Sequence, residues 1–220
     1  MTGDAAHHLG KVLRAELGQF YELSDGEKAW LARIESVRKQ RIEFALVEPI
    51  ASRESGLETT LLLSIVKFDS FEWALEKATE LGVRTIIPLV AARSEKGLLH
   101  AAEKRAERWK KILLEASQQS RRVRIPELKT PEIPADAFGK AAGCRIILSE
   151  KAEAQALKTV LTPSHAAQAV LAIGPEGGWT DDELALAEVF GFRQASLGSL
   201  ILRTETAVVA AVSNLNYALG

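Results

Sequence analysis

Chemistry-bearing residues concentrate in two short stretches near the C-terminus, "LAIGPEGGWTDDEL" (171–184) and "LGSLILRTETA" (197–207). In the first, an apolar run ends in Gly174-Pro175-Glu176-Gly177-Gly178. Glycines there remove side chains, so a flat ligand could lie against bare backbone and use its N–H and C=O groups. The pattern is neither G-x-x-x-x-G-K-[ST] nor G-x-G-x-x-G, and Glu176 in its middle would repel a phosphate. An acidic, glycine-rich loop suits a neutral or cationic ligand instead. Thr180 followed by Glu183 spells a capping box, which reads as a helix start rather than a catalytic carboxylate. His7, His8, His100 and His165, with the single Cys144, give no metal-ligand spacing. Ser149 and Ser199 lack the G-x-S-x-G setting of a hydrolase nucleophile.

Loops of this kind need strands to end in them. "AVLAI" (169–173), "CRIILS" (144–149) and "QASLG" (194–198) read as short apolar strands, with helices over 151–161, 181–190 and 204–219. Upstream, "LLLSIV" (61–66) is a strand covered on both faces and 84–90 is another. Between them 69–82 reads as a helix, capped by Asp69 with Glu72, striped by Phe71, Leu75, Ala78 and Leu81, and ended by Gly82. A longer helix over 102–120 places Trp109, Ile112, Leu113 and Ala116 on one face. Strand alternating with helix implies a parallel sheet in an α/β domain, and ligands bind such sheets at the carboxyl ends of the strands. Both glycine-bearing stretches fall there.

The first part of the chain differs. "HHLGKVLR" (7–14) is a short amphipathic turn with Leu9, Val12 and Leu13 at helical spacing. Strand-like runs follow at 19–23, 29–37 and 41–49, the first two joined by Ser24-Asp25-Gly26-Glu27, and the third alternating Ile42, Phe44 and Leu46. A polar linker falls at 50–60, dividing a small β domain (1–49) from the α/β domain (61–220).

At 220 residues and 47% hydrophobic, the composition is that of a folded globular chain. One cysteine excludes an internal disulfide framework and suits a reducing cytoplasm. No apolar run approaches the ~20 residues of a membrane span. Net charge is −1, yet residues 93–124 hold ten basic against four acidic residues, and 132–192 four against nine. A basic segment beside an acidic one suits a protein that grips a polyanion with one face, although such runs are also ordinary solvated helix faces.

The two C-terminal stretches, together with "HHLGKVLR", "EKATELGVRTIIPLVAARS" (76–94) and "RWKKILLEASQQSRRVRIPEL" (108–128), closely resemble the ordered motifs of the bacterial small-subunit ribosomal RNA 3-methyluridine methyltransferases of the RsmE type, in the knotted SPOUT class. The resemblance covers nearly the whole chain. It implies an α/β parallel-sheet domain with a trefoil knot, preceded by a small PUA-like, RNA-binding β-barrel. Family members carry a further strand-forming stretch before "HHL", whereas this chain begins six residues ahead of it, so the barrel is incomplete at its N-terminus or the recorded start is late. S-adenosyl-L-methionine would lie among three loops, with Leu148, Ser149, Gly174, Pro175, Glu176, Gly177, Gly178, Leu197, Gly198, Ile201, Leu202 and Thr206 as its contacts. No metal is implied.

The implied reaction methylates ring nitrogen 3 of one uridine in 16S rRNA of the small ribosomal subunit or its precursor. That N–H is a weak acid, so transfer needs a base or positive charge near the developing anion. Arg203 is the first candidate to stabilise it, and Glu205 is a base or a partner for Arg203. Gln119 and Arg122 would bond the uracil edge or grip a flanking phosphate. Arg14, Arg93, Arg121, Arg122 and Arg124 are the candidate RNA contacts. The family is a homodimer through the closing helix. The small Ala207, Ala210 and Ala211 agree with close helix approach, though burial within the subunit would explain them equally. Two rival readings stay open: a knotted methyltransferase acting on tRNA or a ribose hydroxyl, and a catalytically silent ribosome-assembly protein that binds RNA.

Overall fold

A computed structural model describes residues 1–38, 40–51, 56–161 and 166–220. The chain divides into two compact units, 1–54 and 55–220.

In the first unit, β1 (Phe20–Ser24), β2 (Ala29–Arg38) and β3 (Arg41–Ile50) form one antiparallel sheet in the order β1-β2-β3. Asp25 closes the first hairpin by accepting the backbone N–H groups of Glu27 and Lys28, which hold its carboxyl below the usual range. α1 (Gly3–His7) runs into a π-helical turn over His8–Val12. Of the three apolar residues expected on one face there, only Leu9 is buried, joining Ala6, Ala15, Ile34 and Ile42 in a small core, while Val12 and Leu13 face solvent. The expected alternation in β3 also stops at Leu46, which is exposed. The pairing jumps from Ala32↔Leu46 to Leu31↔Glu48, so Val47 is an extra residue that disrupts the inward–outward order. The first residues pair on the open side of β3: Met1 exchanges hydrogen bonds with Ile42, and Gly3 donates to Gln40.

The second unit holds a parallel sheet of β4 (Glu58–Ser64), β5 (Thr85–Leu89), β6 (Glu127–Leu128), β7 (Cys144–Leu148), β8 (Gln155–Ala156), β9 (Gln168–Ile173) and β10 (Arg193–Ser196). The order is β6-β5-β4-β9-β7-β10-β8. The all-apolar strand sequences follow from layers on both faces. Leu61 and Leu63 of β4, Leu171 and Ile173 of β9 and Ile146 of β7 enter one core. Leu62, Val170, Ala172 and Ile147 enter the other. α2 (Phe68–Glu80), α3 (Lys96–Gln119), the short α5 (Leu157–Val160) and α7 (Thr204–Leu219) cover the first face, and α4 (Pro134–Gly139) and α6 (Asp181–Val189) the second.

Several sequence expectations change. The helix expected over 151–161 is instead β8 followed by the four-residue α5. α3 starts at Lys96, not 102. α2 carries Lys67 at its N-cap with no side-chain cap, so neither Asp69 nor Glu72 caps it. Glu72 is buried and receives Arg105 at 2.9 Å and Arg108 at 2.7 Å, tying α2 to α3. The small face of α7 turns inward: Ala207, Val208, Ala211, Val212 and Leu215 are buried within their own subunit. Ala211 therefore gives no argument for a partner. Asn216 donates to the Leu81 carbonyl at 2.7 Å, joining the ends of α7 and α2.

The Glu72 assignment is testable by chemical denaturation. Glu72→Ala should cost about 1–3 kcal/mol, because it removes charge-assisted hydrogen bonds from a buried carboxylate. Asp69→Ala, at an exposed position that caps nothing, should stay within about 0.5 kcal/mol.

Candidate functional site

A cleft of about 630 Å³ opens at the carboxyl ends of β9, β7 and β10, where an open parallel sheet binds ligands. Its walls are the loops after those strands and the first turns of α2 and α7.

The loop after β9 is built around Trp179. Its indole is buried and donates from Nε1 to the Leu148 carbonyl at 2.9 Å, linking the end of β9 to the end of β7. Gly174 makes room for the ring: a Cβ there would stand 3.0 Å from the indole. Pro175 to Gly178 form a tight turn, with Gly178 N–H on the Pro175 carbonyl at 2.8 Å and Gly178 at φ +69°. A side chain on Gly178 would also meet the Glu150 carboxylate at 3.0 Å. Arg93, just past β5, braces the turn by donating to the Gly177 and Trp179 carbonyls at 2.8 and 3.2 Å. The glycines thus serve first to let Trp179, Arg93 and Glu150 approach the backbone.

Thr180 and Glu183 form the capping box at the start of α6. The other carboxylate oxygen of Glu183 accepts Ala92 N–H at 2.8 Å, so this acid clamps the β5 loop as well. After β7, Ser149 N–H bonds the Ala195 carbonyl at 2.9 Å. Lys151 pairs with Asp181, and its ammonium holds that carboxyl below the usual carboxylate range. After β10, Ser196 Oγ donates to the Gly198 carbonyl at 2.9 Å.

Of the expected cofactor contacts, Leu148, Ser149, Gly174, Pro175, Glu176, Gly178, Leu197, Gly198, Ile201 and Leu202 line the cleft, and so do Arg203 and Glu205. Gly177 and Thr206 do not; Gly177 packs against Arg93, where a Cβ would meet the arginine side chain at 3.3 Å. Gln119 ends α3 outside the cleft, and so does Arg122, whose guanidinium donates to the Thr79 and Val83 carbonyls, both at 2.9 Å, at the end of α2. Arg121 is exposed with φ +55° and Arg124 half-buried, both away from the cleft, while Arg14 is an exposed residue of the first unit. Sequence reasoning passed over Lys67, Ser70 and Trp179, which also line the cleft, as does Glu150 of the expected loop after β7. Lys67 directly follows an apolar run, and the strand-end rule that singled out the glycines applies to it equally.

A second cavity, about 620 Å³, lies at the opposite ends of the strands and includes Arg145 and Arg193. Parallel sheets do not place ligands there. Among the described residues no group of three His, Cys, Asp or Glu could hold a metal ion, and His165 lies outside those residues. No helix among them is long and apolar enough to cross a membrane.

Comparison with known proteins gives a consistent picture. Residues 53–216 match the family model of an RNA methyltransferase domain, and 1–47 that of an RNA methyltransferase PUA domain. The ribosomal RNA small subunit methyltransferase E of Synechocystis sp. is 34% identical over 98% of this chain and 72% of its own. That of Bacillus subtilis is 33% identical over 99% and 89%. A crystal structure of the Neisseria gonorrhoeae ribosomal RNA small subunit methyltransferase E bound to S-adenosyl methionine superposes with a TM-score of 0.88 at 33% identity, over 99% of this chain and 90% of that one.

The packing of Trp179 gives a direct test. Gly174→Ala should displace the indole, cost about 1–3 kcal/mol in denaturation, and shift tryptophan emission to longer wavelength. Unchanged stability and emission would show that the ring is not wedged there.

Proposed function

The chain belongs to the RNA methyltransferase family of ribosomal RNA small subunit methyltransferase E, and from that premise we propose that it methylates ring nitrogen 3 of a uridine in 16S ribosomal RNA. The observation that carries the reading is the strand-end cleft with Arg203 and Glu205 on one wall.

The residues of the cleft fit S-adenosylmethionine. Leu148, Ile173, Leu197 and Leu202 offer apolar surface for a purine, and Glu150, Glu176 and Glu205 offer negative charge to a cationic ligand. Gly174 lines the cavity beside the Trp179 ring. When bound, the cofactor supplies an electrophilic methyl group on a sulfonium. Its position would be fixed by the backbone of Gly174, Pro175, Glu176 and Gly178, by Leu148 and Ser149, and by Leu197 to Leu202.

The protein must then make a poor nucleophile competent. Neutral uracil holds its N3 lone pair in amide resonance, so the proton has to leave as the methyl group arrives. We assign its acceptance to Glu205, a half-buried carboxylate on the cleft wall. Arg203 stands at the N-cap of α7, exposed to the cleft, and stabilises the negative charge as it forms. The target uridine must be unpaired or flipped out, since N3 lies on the pairing edge.

The same proposal includes the knotted threading of the strand-end loops, RNA binding by the PUA-like unit and the basic 93–124 segment, and action in the cytoplasm. It also includes a homodimer. Because α7 buries Ala207 and Ala211 within the subunit while Ala210 is half-buried, the dimer would use the outward side, where Tyr217 is 92% exposed.

Small-subunit RNA lacking the modification, incubated with protein and cofactor and digested to nucleosides, should yield 3-methyluridine by mass analysis. Arg203→Ala should lower the single-turnover rate on the order of a hundredfold with RNA affinity nearly intact. A methyl group on a ribose or another base would overturn the substrate assignment. Loss of RNA affinity at an unchanged saturated rate would make Arg203 a phosphate clamp.

A further inference from the structure

Four cations line the cleft: Lys67, Arg93, Lys151 and Arg203. Two are already committed. Arg93 is bonded to the Gly177 and Trp179 carbonyls, and Lys151 is paired with Asp181. Among the described residues, the side chains of Lys67 and Arg203 have no hydrogen bond or ion pair. The cleft carboxylates Glu150, Glu176 and Glu205 pair with neither.

These two cations also stand in equivalent places. Lys67 is the N-cap residue of α2 and Arg203 that of α7. The two helices pack together, and the Asn216 bond to Leu81 joins their C-terminal ends. Their first turns, through Ser70 on one and Thr204 and Glu205 on the other, both line the cleft. The helices therefore run side by side in the same direction and present one uncommitted cation each at the same end.

Deprotonated uracil has two sites that want such charges. When the N3 proton passes to a base, its electron pair stays on the ring and spreads onto O2 and O4, which flank N3. One cation can stabilise only one side without covering the nitrogen that must be methylated. We propose that Lys67 is a second catalytic residue, donating from Nζ to one uracil carbonyl oxygen as the proton leaves, while Arg203 serves the other. Lys67 keeps its own protons throughout. The inference rests on the methyltransferase reading above and adds a substrate contact to it.

The test compares Lys67→Met and Lys67→Arg with the unmodified protein. RNA is saturating, and the target uridine is natural or replaced by 5-fluorouridine, whose N3–H is more acidic. Lys67→Met should lower the single-turnover rate at least about tenfold near neutral pH, while calorimetric cofactor affinity and RNA affinity stay within about twofold of the unmodified protein. The deficit should shrink as pH rises and with 5-fluorouridine, because both make the anion easier to form. Lys67→Arg should keep most of the rate. A deficit unaffected by pH or fluorination would overturn the proposal, as would weaker RNA binding at an unchanged saturated rate. No methylation by the unmodified protein would overturn the methyltransferase reading itself and would be seen before any variant is compared.

Discussion

The hydrogen bond from the Trp179 indole to the Leu148 carbonyl is the constraint from which the cleft follows. It fixes two neighbouring strand ends against each other, and no backbone pairing could do so beyond the last ladder residues. The bond forces other choices. Gly174 must lack a side chain for the ring to fit, and the chain must then turn within four residues to bring Trp179 back, which Gly178 permits. Arg93 reaches in from the β5 loop to brace that turn, and Glu183 holds the same loop at Ala92. Three strand ends are thereby locked by groups that are themselves buried or bonded. A preformed site of this kind loses little ordering entropy when it binds.

Charge in the cleft is arranged by commitment as much as by number. Arg93 is tied to two backbone carbonyls and Lys151 is paired with Asp181, so both act as struts. Among the described residues, Lys67 and Arg203 are held at helix starts with no side-chain partner, where a charge developing on a bound molecule would find them. A cation already bonded to the protein is held to that partner's geometry. One kept free acts without reorganisation, which is what electrostatic stabilisation of a transition state requires.

Much of the α/β unit was legible because its signals are local. Apolar runs such as 61–66 belong to strands covered on both faces, and Thr180 with Glu183 caps α6 as the residues spell it. The two-residue strands β6 and β8 were not legible, since neither has a period of its own and each exists only as the edge of a sheet. Long-range partners were hidden for the same reason. Glu72 looked like a capping residue because three-residue spacing is visible in sequence and a contact with Arg105 and Arg108 on another helix is not. Arg122 looked like a ligand contact for lack of any sign that the end of α2 needed its guanidinium. In the site, the glycines were read correctly as markers of a tight loop. The immediate cause of Gly174, the wedged ring of Trp179, depends on the carbonyl of a residue thirty-one positions away.

The Trp179 strut shapes the cleft proposed to hold S-adenosylmethionine. Calorimetric titration of the cofactor into Trp179→Phe protein measures what the strut contributes. Phenylalanine keeps an aromatic ring but cannot donate to Leu148. Losing one buried hydrogen bond that orders the site should weaken binding by about tenfold with the fold retained. Unchanged affinity in a folded Trp179→Phe protein would show that the bond to Leu148 does not shape the cleft.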